Sequence, residues 1–503
     1  MKTSTTIFKI FRALFFLFIL SLCFNCLEKA ESTSNQTLKS TGGPLYQDLL
    51  IYRQRMEALN AGIYRYTSKD SMDILFEKTL EQLDENMDDR AFYRLIAKLN
   101  DHIHDAHTSI RPSKRIRGAA INTKKIFPFD IRYEDDHLLI EKNFSNDSSI
   151  IIGSEITSIN GRNIKEINSV ILLGHTTDGH IKSPKYHVMS DFFWLYYHEL
   201  VDSLETFQIT LKDKLSNKFR EVSVDGISSK ILLEDYQKNI KYREINLEVN
   251  TERSFAILTI PHFLDLGLIE KFRSVFAQLK FEKIKTLIID IRDNPGGWDE
   301  LNPELFKYLM KEEFKFYNHF TYIARNKEHL NHVTFDTLDF FSDKEQKAIG
   351  KDSLKELFSK RTLSESIEHY INTNPAQGIH KPYDKLVFEG DIYLLFNGGS
   401  ISSGAEVPAF FKEHNLGILV GDEPNGAVEG VTAGIMGELV LPNSQIRVIV
   451  PLISYYSNVS PPKQKGRGAM PDYYIKQTLD DAKKGKDTAL EFIFKHITDK
   501  TPK

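Results

Sequence analysis

The sequence predicts an α/β fold: a core of βαβ units with a mostly parallel sheet, preceded by an N-terminal helical domain and a β-rich module. Three observations predict it. Short apolar runs at 255–260, 286–291, 392–396 and 418–420 read as buried strands. Helical patterns lie between them, after Gly267 and after Ser403, so strands and helices alternate. Earlier in the chain, Phe92, Leu95, Ile96, Leu99 and Ile103 recur at helical spacing, with Asp88 or Asp89 placed to cap the helix.

The first 26 residues are a different material. Lys2, Lys9 and Arg12 precede the apolar run 13–20, which gives the charged and apolar regions of a secretory signal peptide. The run is short for a membrane span. An uncleaved anchor is the alternative reading. The only two cysteines, Cys23 and Cys26, end this run, so no disulfide staples the rest of the chain. A cysteine pair at a cleavage region suggests a bacterial lipoprotein leader, with Cys26 as the lipidated residue. Its neighbours match the usual lipobox poorly. Residues 27–45 are polar and read as a tether holding the protein at a membrane face.

The domain at 46–115 reads as helical. The module at 116–225 holds a glycine turn, an alternating strand and the Asn160-Gly161 turn. Its aromatic run, 192–197, reads as a packed helix face, with the wall of a substrate groove as the sharper alternative. Residues 226–490 form the core, interrupted by a charged, aromatic insertion at about 313–385, with a helix near 353–358.

Lys and Arg number 65 against 69 Asp and Glu, a net charge of −4. No basic field for nucleic acid follows from that balance. His102, His104 and His107 are close in sequence, but no metal-ligand motif accompanies them, so neither a metal nor a cofactor is expected.

Two segments carry the chemistry. Asp290-Ile291-Arg292-Asp293-Asn294-Pro295-Gly296-Gly297 follows a strand and ends in a glycine pair, where backbone N–H groups can face an anion unobstructed. Gly399-Ser400-Ile401-Ser402-Ser403-Gly404-Ala405-Glu406 puts hydroxyls on a glycine-flanked turn before a helix. A donor loop and an exposed serine turn are the two halves of an acyl-transfer site.

The pair resembles the signature of the tail-specific, or C-terminal processing, serine proteases, including the tricorn-core and interphotoreceptor retinoid-binding branches. The resemblance extends to Gly421-Asp422-Glu423 and covers about 50–478. It implies a crotonase-like protease core and a PDZ-like module, with a bound peptide or a plain spacer role both open for the module. Counting back from Glu406 points to Ser403 as nucleophile. Counting back from Gly421, and the Ser400-Ile401-Ser402 spacing, points to Ser402, which satisfies two landmarks. Ser403 then lends its N–H to an oxyanion hole shared with Gly296 and Gly297. Asp290, Arg292 and Asn294 brace the loop.

One branch of the family uses a lysine base after the serine. No lysine occurs from 413 to 462, so that dyad is ruled out. Another branch uses a histidine in a motif like Asp105-Ala106-His107-Thr108, which implies His107 as general base. The residue that orients His107 is not visible: Ala106 replaces the serine of the tricorn branch, and the ending 464–472 has no glutamate. The resulting expectation is a serine peptidase of the bacterial cell envelope, secreted or lipid-anchored, acting on a peptide or protein. The alternative is a weak or inactive relative that binds a peptide or ligand.

Overall fold

The computed structural model describes residues 42–84, 86–239, 244–324 and 327–500. The expected leader, with Cys23 and Cys26, lies outside the described residues. Among the described residues no helix is long and apolar enough to cross a membrane.

Three helices open the fold: α1 (Pro44–Leu59), α2 (Lys69–Glu81) and α3 (Asp89–Asp101). Asp88 caps α3, its carboxylate accepting from the Ala91 N–H at 2.7 Å. Phe92, Leu95, Ile96 and Leu99 are buried along one stripe of α3, as the spacing predicts. These helices share one continuous apolar core with the main sheets, so they are not a free-standing cap.

A β-rich unit follows, made of β1 (Phe129–Glu134), β2 (His137–Asn143), β3 (Glu155–Ile159), helix α4 (Ser183–Leu200), β4 (Thr206–Lys212) and β5 (Phe219–Asp225). Its strands pair antiparallel in sequence order. Asn160 and Gly161 both take positive φ, as the tight turn after β3 requires. This unit has its own core, from Ala120 to Leu232. The aromatic run of α4 is core packing: Phe193, Trp194 and Tyr197 are buried in it.

The main sheet runs through β6 (Asn246–Asn250), β7 (Phe255–Thr259), β8 (Thr286–Asp290), β9 (Asp391–Phe396), β10 (Ile418–Gly421) and β11 (Tyr473–Tyr474). The spatial order is β11-β10-β9-β8-β7-β6, and all neighbours are parallel except β6 with β7. Both faces are covered, which is why these strands read as unbroken apolar runs. Leu287 and Ile289 face the large core, while Ile288 faces a smaller cluster with Ala489 and Ile493 of the C-terminal helix Thr488–Lys500.

A second, antiparallel sheet is built on the hairpin Thr432–Val440 and Arg447–Ser457. The insertion is stitched into it: Tyr317–Thr321 pairs with the second strand of the hairpin and Val333–Thr334 with the first.

Gly421, at the end of β10, has φ +137°, and a Cβ there would lie 1.8 Å from the Phe396 carbonyl of β9. Gly421→Ala should therefore cost about 1–3 kcal/mol in backbone strain. Thermal unfolding checks this, and an unchanged Tm would contradict it.

Candidate active site

The glycine loop leaves the end of β8. Arg292 returns to Asp290 with Nε to Oδ1 at 2.9 Å and Nη2 to Oδ2 at 2.6 Å. The same guanidinium reaches Asp487 at 3.0 and 2.8 Å. Asp290 and Arg292 thus anchor the loop to the start of the C-terminal helix. Asn294 is fully buried and holds three segments together. Its Nδ2 donates to the Ile260 carbonyl at 2.9 Å, its Oδ1 accepts from the Gly296 N–H at 2.8 Å, and its carbonyl accepts from the Ile401 N–H at 2.8 Å.

The serine turn leaves β9. Ser400 is buried and donates to the Ile291 carbonyl at 2.8 Å. Ser402 follows with φ +55° and ψ −129°, then helix α5 (Ser403–Glu413) begins. A non-glycine residue in that conformation is strained, and such strain collects at reactive positions. Ser402 is half-buried, at the positive end of α5. Ser403 is buried and its hydroxyl donates to the Gly297 carbonyl at 3.2 Å. The two serines therefore differ: one hydroxyl is presented at a strained turn, the other is tied down.

The glycine loop lies directly on this turn. Gly296 has φ +87°, and a Cβ there would stand 2.7 Å from Ser402 Cβ and 2.9 Å from the Ser403 nitrogen. The N–H of Gly296 is committed to Asn294, which corrects the expectation of an oxyanion donor at that position. Gly296 instead supplies the closeness that only a missing Cβ permits. Among the described residues the N–H groups of Gly297 and Ser403 take no hydrogen-bond acceptor. They are the free donors beside Ser402.

His107 lies in the loop after α3. Asp105 shapes that loop: Oδ1 accepts from the His107 N–H at 2.9 Å and from Thr432 Oγ1 at 2.6 Å, and Oδ2 accepts from Thr108 Oγ1 at 2.6 Å. Burial lowers the imidazole pKa from its ordinary 6.5, opposed by Asp105 and reinforced by Arg65. His107 Nδ1 is buried without a partner, and among the described residues no hydrogen bond joins the ring to Ser402. The connection is indirect. Asp178 binds the Ala106 N–H at 2.8 Å and the Ala427 N–H at 3.1 Å, and Asn425 on the same loop donates to the Ser400 carbonyl at 2.8 Å. No sequence pattern pointed to Asp178, which stands in no motif.

Two further features frame the site. Behind α5, burial pushes the Glu406 carboxyl up to about 8, and Tyr317 donates to it at 2.8 Å. On the outer side, His187 of α4 meets Asp293 of the glycine loop, Nε2 to Oδ1 at 3.1 Å. Gly399 makes room for the imidazole, since a Cβ there would lie 2.6 Å from Nε2.

Residues 254–475 match the model of peptidase family S41. The match contains Ser402, Ser403, Gly296 and Gly297 but not His107. The fold is similar to solved structures of CPAF. For an alanine mutant of CPAF the identity is 13%, with 87% of this chain and 94% of that chain covered and a TM-score of 0.58. For mature CPAF complexed with lactacystin the identity is 12%, the coverage 90% and 97%, and the TM-score 0.57. No curated protein sequence matches the chain.

The His187–Asp293 pair gives a pH test. Burial lowers the imidazole pKa, but the Asp293 bond and charge, with Asp191 and Asp422 nearby, raise it overall to about 9. Asp293 is held below the usual carboxylate range although burial opposes this, with His187 the main cause. Since the folded His187 value lies above 6.5, its contribution is complete below 6.5 and is lost as pH rises through about 9. The Asp293 contribution is present above its ordinary value and is lost as pH falls. The Tm gap between wild type and His187→Gln should be present near neutrality and close above about 9. A gap that stays constant to high pH would contradict this.

Proposed function

We propose that this protein is a serine peptidase of the S41 family in which Ser402 attacks the peptide carbonyl and His107 acts as general base. The observation that carries the reading is the strained Ser402 turn, with the unengaged N–H groups of Gly297 and Ser403 beside it. A carbonyl carbon placed at Ser402 Oγ would set its oxygen near those donors, where charge develops in the tetrahedral intermediate. His107, kept largely neutral at physiological pH by its lowered pKa, would take the serine proton and return it to the leaving amine. Trp298, left 45% exposed beside Gly297, is placed to border the substrate groove. We read 116–225 as a PDZ-like module, with β5 as the open edge for an added peptide strand, since α4 lies against β1 and Ser190 takes the Tyr133 N–H.

One observation favours a second reading. The buried, unpartnered Nδ1 of His107 fits a relative whose base is not oriented and which binds peptides or ligands without turning them over.

Fluorophosphonate labelling with peptidase assay separates the two. Ser402→Ala should abolish both, and Ser403→Ala should retain some of each. His107→Ala should lower turnover by several orders of magnitude and remove the acid limb of the pH–rate profile. An unlabelled wild type supports the binding reading, and a dead Ser403→Ala beside an active Ser402→Ala reverses the nucleophile.

We further propose an envelope protein held by lipid on Cys26. Mass spectrometry of the native N-terminal peptide should find an acylated Cys26. A start beyond it means a free secreted protein, and an intact Met1 means an anchor.

A further inference from the structure

The peptidase reading leaves His107 without an orienting partner, and the structure holds a buried carboxylate that the mechanism has not used. Asp178 lies between the helix Ile164–Ile171 and α4, in a segment of the β-rich unit, and is 2% exposed. Removing a carboxylate from water is expensive unless fixed donors replace the water. Here they are two backbone amides from opposite sides of the site: Ala106, immediately before His107, and Ala427, on the loop bonded to the serine turn.

The same segment grips the base loop at two more points. Thr176 Oγ1 donates to the Ala106 carbonyl at 3.3 Å, and the Gly179 N–H donates to the His104 carbonyl at 2.8 Å. The backbone on both sides of Asp105 is therefore held by residues 176–179. The 425–427 loop is in turn fixed to the turn by Asn425 N–H on the Ser400 carbonyl and by the bridge between Ile401 and Asn425. One carboxylate is thus common to the loop of the base and the loop behind the nucleophile.

We propose that Asp178 is a positioning residue for His107: by clasping the Ala106 and Ala427 amides together, a residue of the β-rich unit sets where the imidazole stands relative to Ser402. This rests on the Ser402–His107 reading. Both oxygens must accept for the clasp to hold. Burial first, and then the neighbouring Asp105, raise its pKa to about 7, against the two amides and Arg65. The charged and titratable groups around it are Asp105 and His107 on the base loop, Arg65 and Tyr66 after α1, Glu406 on α5, and Glu429, which faces Tyr66 from the 425–431 loop. As pH falls through about 7 a proton reaches Asp178, one acceptor becomes a donor, and the clasp opens.

The test uses the full chain with Asp178→Asn, and with Asp178→Ser should the first not fold. Asparagine keeps the shape but turns one acceptor into an N–H pointing at an N–H. The expected result is a folded protein whose kcat and fluorophosphonate labelling rate fall roughly tenfold to a hundredfold, as displacement of a catalytic group does. KM should be little changed. The acid limb of kcat/KM should move from about 7 to below 6.5, the value left to His107 alone. An unchanged rate and limb would overturn the proposal. So would a loss of rate with an unmoved limb that follows the fall in Tm, which is the mark of a merely structural role. Ser402→Ala and His107→Ala are run alongside. If either of those still labels and turns over normally, the peptidase reading fails first, and the positioning role with it.

Discussion

Everything at the site depends on how closely two turns can approach. The glycine loop after β8 and the serine turn after β9 come from neighbouring parallel strands, so both emerge at the same edge of the sheet. What brings them into contact is the absence of side-chain bulk at Gly296 and the bond from the Ile401 N–H to the Asn294 carbonyl. Asn294 spends every polar atom on this arrangement, and Arg292 fixes the loop from outside. The strained backbone of Ser402 persists because these contacts over-determine it.

The parts legible in the sequence are those whose signal is local. The parallel strands of the core announce themselves because both faces are buried, and the Asp88 cap and apolar stripe of α3 do the same for a helix. The hairpin Thr432–Val440 and Arg447–Ser457 was not read from the sequence: Gly434 and Gly437 blur the alternation of its first strand, and its second is buried almost throughout. The donor role expected of Gly296 failed because a glycine in a motif says that a backbone must come close, not which way its N–H points. Asp178 was invisible for another reason: its meaning lies in two amides supplied by distant segments, and a lone aspartate in a loop ordinarily means solvent.

The two accessory units join the core by different physics. The N-terminal helices share its apolar interior, so they cannot part from it without exposing a large core surface. The β-rich unit keeps most of its interior to itself: it packs Leu200, Leu173 and Tyr196 against the large core and adds polar contacts near the site, His187 with Asp293, Ser183 with Asp422, Lys185 with Asp101 of α3, and the Asp178 clasp. The polar contacts are directional, so they fix the orientation of the β-rich unit over the site more than they hold it there.

The bond from Thr432 Oγ1 to Asp105 joins residues 327 positions apart. Asp48 of α1 is likewise held by the Ser444 N–H across 396 positions. The loop that carries His107 is made early, but the strand that shapes it is among the last pieces to leave the ribosome. The loop at Asp105 therefore takes its final shape only once a strand from far along the chain is in place, a long-range closure of the kind that slows folding.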